Sequence, residues 1–309
     1  MAILEFMARN GRMMLIAGLV AGIALPGLAV VLRPWIAPMI VALLFLAVLR
    51  LGPEGLVAGF KGIHRAIGLA LFFQLVLPLL AAGVFAVAGV LTHPLAMGVV
   101  LVLAAAPITG SPNITAMTGG DPAPSLRQLV LGTAILPLTV FPVFLVMPAF
   151  GDAGDVARAA AWLLLLITLA GSFAIALRLS GLIKGTPRAI LAMDGIAALL
   201  LGLVVIGMMS AIGPAFTGNP LGLAAALAVV FALNMGLQLA ASAIAARRNP
   251  AAAPAIGIAA GNRNAALFLS VLPTQTADLL LLFIGCIQIP MYLTPIMLER
   301  WYGRLARRA

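Results

Sequence analysis

Apolar runs of about 20 residues follow one another along this entire chain, separated only by short polar breaks. A helix needs a run of that length to cross roughly 30 Å of hydrocarbon. Lipid offers no hydrogen bonds to a peptide group, so runs of this kind have to be helical. With 64% hydrophobic and 8% charged residues over 309 positions, and a mean hydropathy of +1.21, the chain has too few polar groups to clothe a soluble globule. It is expected to be an all-α integral membrane protein, one membrane domain occupying 1–309.

Charges, glycines and prolines serve as punctuation and give ten expected spans, at about 13–32, 35–49, 66–91, 94–119, 126–149, 157–178, 188–212, 220–245, 251–272 and 278–298. The first follows Arg9 and Arg12 in the layout of a signal peptide, but it is long enough to span and lacks a small-x-small cleavage site. It is read as a retained helix. If the N-terminus is cytoplasmic, fifteen of the 18 Lys and Arg residues fall on inner segments, among them Arg50, Lys61, Arg65, Arg127, Arg178 and Arg308. Only Arg33 and Arg158 fall outside, and a missed span would scramble that alternation. Both termini are therefore expected in the cytoplasm, for a multi-pass protein of a bacterial inner membrane. The net charge of +10 is spread over loops rather than along one stripe, so orientation in the lipid bilayer accounts for it and no nucleic-acid partner is expected.

Ten spans divide into two fives, and because five is odd a duplicated half would sit inverted. Inverted repeats place a binding site near the midplane, on helices broken at corresponding positions. Span four contains APITGSPNITAMTGG at 106–120, where Pro107, Gly110 and Pro112 interrupt the apolar run and Thr109, Ser111, Asn113, Thr115 and Thr118 add polar atoms. Span nine contains AAGNRN at 259–264. Each is the fourth span of its half. Proline removes a backbone donor, and broken backbone persists at membrane depth only where it is buried in protein or faces water. Breaks at matching repeat positions point to one shared polar site. Pro26, Pro78, Pro137 and Pro142 lack such polar neighbours and are read as kinks.

Arg263 is the costliest residue, at about 2.5–3.5 kcal/mol for insertion at a helix centre. Three readings are open. The guanidinium could bond carbonyls freed by the broken backbone, such as those near Pro107 to Asn113; it could offer a fixed positive charge to an anionic substrate or replace a bound cation; or it could snorkel to an interface. Asn113, Asn262 and Asn264 can each present a carbonyl oxygen or an amide donor, with Thr115 beside them. Gln74, in LFFQLVLPLL, divides between an interhelical hydrogen bond and a site role; Asn234, Gln238 and Gln288 default to the bond. Asp194 is the carboxylate nearest a span interior and the candidate proton carrier, whereas Asp121, Asp152, Asp155 and Asp278 read as solvated loop residues. His64 and His93 have no partners at metal-ligand spacing. Cys286 stands alone, which excludes an internal disulfide. No nucleophile elbow, phosphate-binding loop or zinc-protease motif occurs, so no enzymatic activity is expected.

The run from Gln74 through Pro78, APITGSPNITAMTGGD at 106–121 and GIAAGNRNAALFLSVLP at 257–273 resemble the third, fourth and ninth spans of the bile acid:sodium symporter family. The spacing of Pro107 to Asn113 and of Gly261 to Asn264 carries the likeness. It implies a panel of spans 1, 2, 6 and 7 (about 13–49 and 157–212) and a core of spans 3–5 and 8–10 (about 66–149 and 220–298), with spans four and nine crossing. The family's sodium ligands carry over to Gln74 and Asn113. Elsewhere the chain departs: Pro112 stands where a serine is usual, Ala259 where a glutamate is usual, and Arg263 where a glutamine is usual.

A guanidinium in a sodium shell would repel the ion by about 4 kcal/mol at 4 Å and an effective dielectric near 20, roughly a thousandfold in affinity. The expectation is a secondary transporter for a small organic anion, with Arg263 standing where sodium would be and sodium coupling lost or reduced. Its substrate-binding residues would be Asn113, Thr115, Asn262, Arg263 and Asn264; Gln74, Asn113, Ala259, Arg263 and Asp194 would form the ion or coupling site. No cofactor is expected. The alternatives are a sodium-coupled symporter of the usual kind and a non-transporting sensor or scaffold. A related-fold arsenite carrier fits less well, because Cys286 lies away from both breaks.

Overall fold

The computed structural model describes residues 2–59 and 63–307. Lys61 and Arg308 lie outside the described residues, as do the side chains of Arg9 and Arg12. Among the described residues the elements are all helical: α1 (Ala2–Arg9), α2 (Gly11–Ala24), α3 (Pro26–Leu32), α4 (Ile36–Gly59), α5 (Ile63–Leu71), α6 (Leu77–Val87), α7 (Pro94–Ala104), α8 (Ser111–Met117), α9 (Pro122–Leu145), α10 (Ala153–Leu179), α11 (Pro187–Met208), α12 (Ile212–Gly218), α13 (Pro220–Ala246), α14 (Ala253–Gly261), α15 (Thr274–Met297) and α16 (Glu299–Ala306). A π-helical turn, Phe72–Val76, joins α5 to α6.

Among the described residues seven helices are long and apolar enough to cross a membrane: Pro26–Ala58, Ile63–Val87, Pro122–Leu145, Ala153–Leu179, Pro187–Gly218, Pro220–Ala246 and Thr274–Met297. The chain is thus an all-α, multi-pass membrane protein. The segments expected as spans at 13–32, 94–119 and 251–272 are instead assembled from shorter pieces. The first is split at Leu25, where Pro26 cannot donate and starts α3. The second is α7 followed by α8, and the third is α14 followed by the 3-10 stretch Ala265–Ser270. Helix α4 bends at Gly52, whose φ of 65° suits a residue without Cβ, just before Pro53. It continues ten residues beyond the expected end of span two at 49.

Helix α10 packs along α4, and α11 lies against α1, α2 and α4; separately, α13 lies on α14 and α15, α5 and α8 on α9, and α6 on α7. The two sets meet where α9 touches α10 and α4, and where α4 meets Ala265–Ser270. Between them Phe144 stacks on Phe150 at 4.3 Å and meets Phe268 edge-on at 5.4 Å between ring centroids. Val87, Leu138 and Phe173 are exposed, as a lipid-facing surface allows. Lipid is as apolar as leucine, so helices in it associate through close packing and hydrogen bonds rather than through exclusion of water. Gly257 and Gly261 of α14 supply that closeness against α13. A Cβ on Gly257 would come 2.8 Å from the Gln238 carbonyl oxygen, and one on Gly261 would come 2.5 Å from that of Asn234.

Candidate functional site

Helix α7 stops at Ala104, because the chain must turn extended ahead of Pro107, which has no N–H to continue the ladder. Helix α14 stops at Gly261, followed by Asn262 in an extended conformation. The two interruptions meet. Pro107 and Arg263 form an antiparallel β-bridge, in which Ile108 N donates to Asn262 O at 2.9 Å and Asn264 N donates to Ala106 O at 2.8 Å. Backbone groups that each break releases are thereby paired by the other.

Arg263 fills the centre of this crossing and is 1% exposed. Its Nε donates to Ala260 O at 2.9 Å and its Nη1 to Ala105 O at 2.8 Å. Both acceptors belong to helix C-terminal ends, α14 and α7, where carbonyls lack intrahelical donors. Each such end carries about half a negative charge, so the pair offsets about one positive charge. Among the described residues no carboxylate forms an ion pair with Arg263. The Phe73 ring lies 5.2 Å from its Cζ, a cation–π distance. Its Nη2 is buried and has no partner among the described residues. Of the three readings open for Arg263, the one in which freed carbonyls receive the guanidinium matches these contacts, but the acceptors are Ala105 and Ala260, at the ends of α7 and α14, rather than carbonyls of 107–113. The side chain is buried, so it does not snorkel.

The other candidate residues divide around it. Asn262 is fully buried, its Oδ1 accepting from Asn234 Nδ2 at 3.0 Å and Thr294 Oγ1 at 3.3 Å, its Nδ2 unpartnered among the described residues. Asn264 is half-buried and faces the same cavity as Arg263. Gln74 is buried on the π-helical turn, a geometry frequent at functional sites. Its Oε1 accepts from Thr139 at 3.2 Å and its Nε2, beside Gly132, has no partner among the described residues. Ala259 is buried within α14 and supplies no polar side chain. Thr115 turns back on its own helix, donating to Ser111 O at 2.8 Å. Asn113 is exposed and accepts from Arg50 Nη2 at 3.2 Å.

Arg50 gains a place in the site that its position at a span end did not indicate. Its Nε pairs with Asp194 at 2.7 Å, so one guanidinium ties α4 to α11 and to α8. Asp194 is therefore ion-paired rather than free. Asp278, read as solvated, pairs with Arg33, while Asp121 and Asp152 cap the starts of α9 and α10. A cavity of about 830 Å³ opens beside the crossing, lined by Thr109, Asn113, Arg263, Asn264 and Gln288 among apolar side chains such as Met291. A neighbouring one of about 610 Å³ is lined by Arg50, Asn113 and Asp194.

Hydrogen bonds run from the crossing into α13 and on to α16. Asn234 Nδ2 also donates to Gly261 O at 2.8 Å, and Gln238 Nε2 donates to Asn234 Oδ1 at 2.7 Å and Thr294 Oγ1 at 2.9 Å. Tyr302 OH donates to Gln238 Oε1 at 3.0 Å. Burial pushes the Tyr302 phenol up, so it stays a donor at neutral pH. Among the described residues no cluster of His, Cys, Asp and Glu could hold a metal ion. What the fold and site define is a helical membrane protein with a buried cation at a crossing of two broken helices. No protein-family model and no curated protein matches this chain.

Proposed function

We propose that the chain is a secondary transporter moving a small organic carboxylate across a bacterial inner membrane, on the ten-span, inverted-repeat plan of the bile acid:sodium symporter family, with a fixed arginine charge in place of a bound cation. The observation that carries this reading is the setting of Arg263: a buried guanidinium held by two helix-end carbonyls, without a carboxylate, at the wall of a cavity. Carbonyl oxygens are the donors that sodium takes. With the guanidinium bonded to them, sodium would meet a repulsion of about 4 kcal/mol at 4 Å. In this reading α2–α4, α10 and α11 are the panel, α5–α9 and α13–α15 the core, and both termini are cytoplasmic. The substrate carboxylate enters the larger cavity, where Asn113 and Asn264 offer it amide donors and the buried charge of Arg263 behind the wall attracts it. Asn262 and Gln74 hold the crossing around it, and Thr115 contributes packing.

A second reading, a sensor that binds without transport, draws support from Arg50. Its bond to Asn113 ties panel helix α4 to core helix α8, which alternating access would have to separate, and Asp194 holds Arg50 in place from within the panel. Uptake of labelled organic acids into proteoliposomes, with and without a sodium gradient, separates the readings. Flux that is substrate-dependent and sodium-independent in the wild type, with sodium stabilisation emerging only in Arg263→Gln, is the expected result. Flux that requires sodium with wild-type Arg263 overturns the cation-replacement reading; ligand binding without flux favours the sensor.

A further inference from the structure

Helix α16 carries Arg300, Arg304 and, at its C-cap, Arg307, a spacing that puts the three on one face. The opposite face is anchored: Tyr302 and Leu305 are buried and Trp301 Nε1 donates to Ser242 Oγ at 2.9 Å. Like charges four residues apart disfavour a helix, so burial of that apolar face is what holds the arginines together. With Glu299, Gly303, Met117 and Thr118 they line an open cavity of about 600 Å³. Among the described residues none of the three forms an ion pair, and Glu299 is the single carboxylate in the lining. The cavity is therefore strongly cationic.

We propose that this cavity binds the phosphodiester headgroup of an anionic phospholipid. Its position supports a lipid over a free anion. Helix α16 starts two residues after α15, one of the helices long enough to cross a membrane, which places the arginines at the edge of the bilayer. Arginine forks match phosphate oxygens two at a time, and basic pockets between helices at that depth take anionic headgroups. Met117 adds an exposed apolar side chain to the same lining, suited to the glycerol and upper acyl carbons and of no use to an inorganic ion. Met117 and Thr118 also end α8, which presents Asn113 to the larger cavities, so the headgroup rests on the helix that forms part of the crossing. The site does not depend on the transport reading.

The test is thermal stability and native mass spectrometry of the purified protein with phosphatidylglycerol, phosphatidylcholine or inorganic phosphate. The variants are Arg300→Gln/Arg304→Gln/Arg307→Gln and a charge-matched control on exposed residues elsewhere, Arg65→Gln/Lys184→Gln/Arg188→Gln. Phosphatidylglycerol is expected to stabilise and stay bound to the wild type and the control, with binding at least tenfold weaker in the α16 variant. Equal effects of the two lipids overturn the proposal. So does an undiminished preference for phosphatidylglycerol in the α16 variant, an equal loss in the control, or a full shift produced by inorganic phosphate alone. Should the α16 variant not fold, Arg304→Gln and Arg300→Gln singly are expected to weaken binding in graded fashion; no change in either counts against it.

Discussion

Arg263→Met removes the guanidinium while keeping an unbranched, apolar side chain in its place, and the structure sets the size of the effect. The Ala105 and Ala260 carbonyls each lose a donor in a site that excludes water. An unmet buried acceptor costs about 1–3 kcal/mol, so the two together cost about 2–6 kcal/mol. The ends of α7 and α14 also lose the charge that offsets their dipoles. Recovered desolvation of the guanidinium works in the opposite direction, which makes the lower end of that range the safer forecast. At roughly 2–4 °C per kcal/mol for a chain of this size or somewhat smaller, the midpoint falls by about 4 °C or more. Intrinsic fluorescence from Trp35, Trp162 and Trp301 in detergent reads the transition. Arg263→Lys keeps a cation with donors for the same oxygens and is expected to fall between wild type and Arg263→Met. A methionine variant that melts with the wild type would refute the account of Arg263 as the counter-charge to two helix ends. So would a lysine variant less stable than the methionine one.

Gly261→Ala puts a methyl group 2.5 Å from the Asn234 carbonyl oxygen, and overpacking of that kind costs about 1–3 kcal/mol; a lowered melting temperature, together with loss of the crossing's function, is expected, and wild-type stability would show that α13 and α14 are less tightly apposed. Asp194→Asn removes the ion pair with Arg50, which is partly exposed on both sides, so its stability effect is expected within about 1 kcal/mol. Its effect on transport should be larger than on stability, because Arg50 is then released from α11 while still able to reach Asn113; unchanged flux kinetics would remove Arg50 from the gating argument.

The breaks at 106–120 and 259–264 were legible because proline and paired asparagines have few uses inside an apolar run, and the span in which each lies cannot be a continuous helix. Their matched positions point to one shared polar site, but not to the β-bridge between Pro107 and Arg263. What the residues could not disclose is which atoms receive Arg263. The acceptors are main-chain oxygens of two alanines, and an alanine carries no side-chain signal that its carbonyl is free; only the end of a helix makes it so. The role of Arg50 is hidden in the sequence for a related reason. Its partners Asn113 and Asp194 lie on α8 and α11, far along the chain, and a basic residue at the end of a span already has an explanation in membrane orientation. Helix α16 shows the converse: its arginines read only as markers of an inner segment, yet Tyr302 beside them is fully buried and hydrogen-bonded to Gln238. The π-helical turn under Gln74 has no residue signature at all, since Phe72–Val76 reads as plain apolar helix. A charge inside a membrane span is thus informative about cost from the sequence alone, whereas what offsets the cost is a matter of where helices end, and here two of them end on the same arginine.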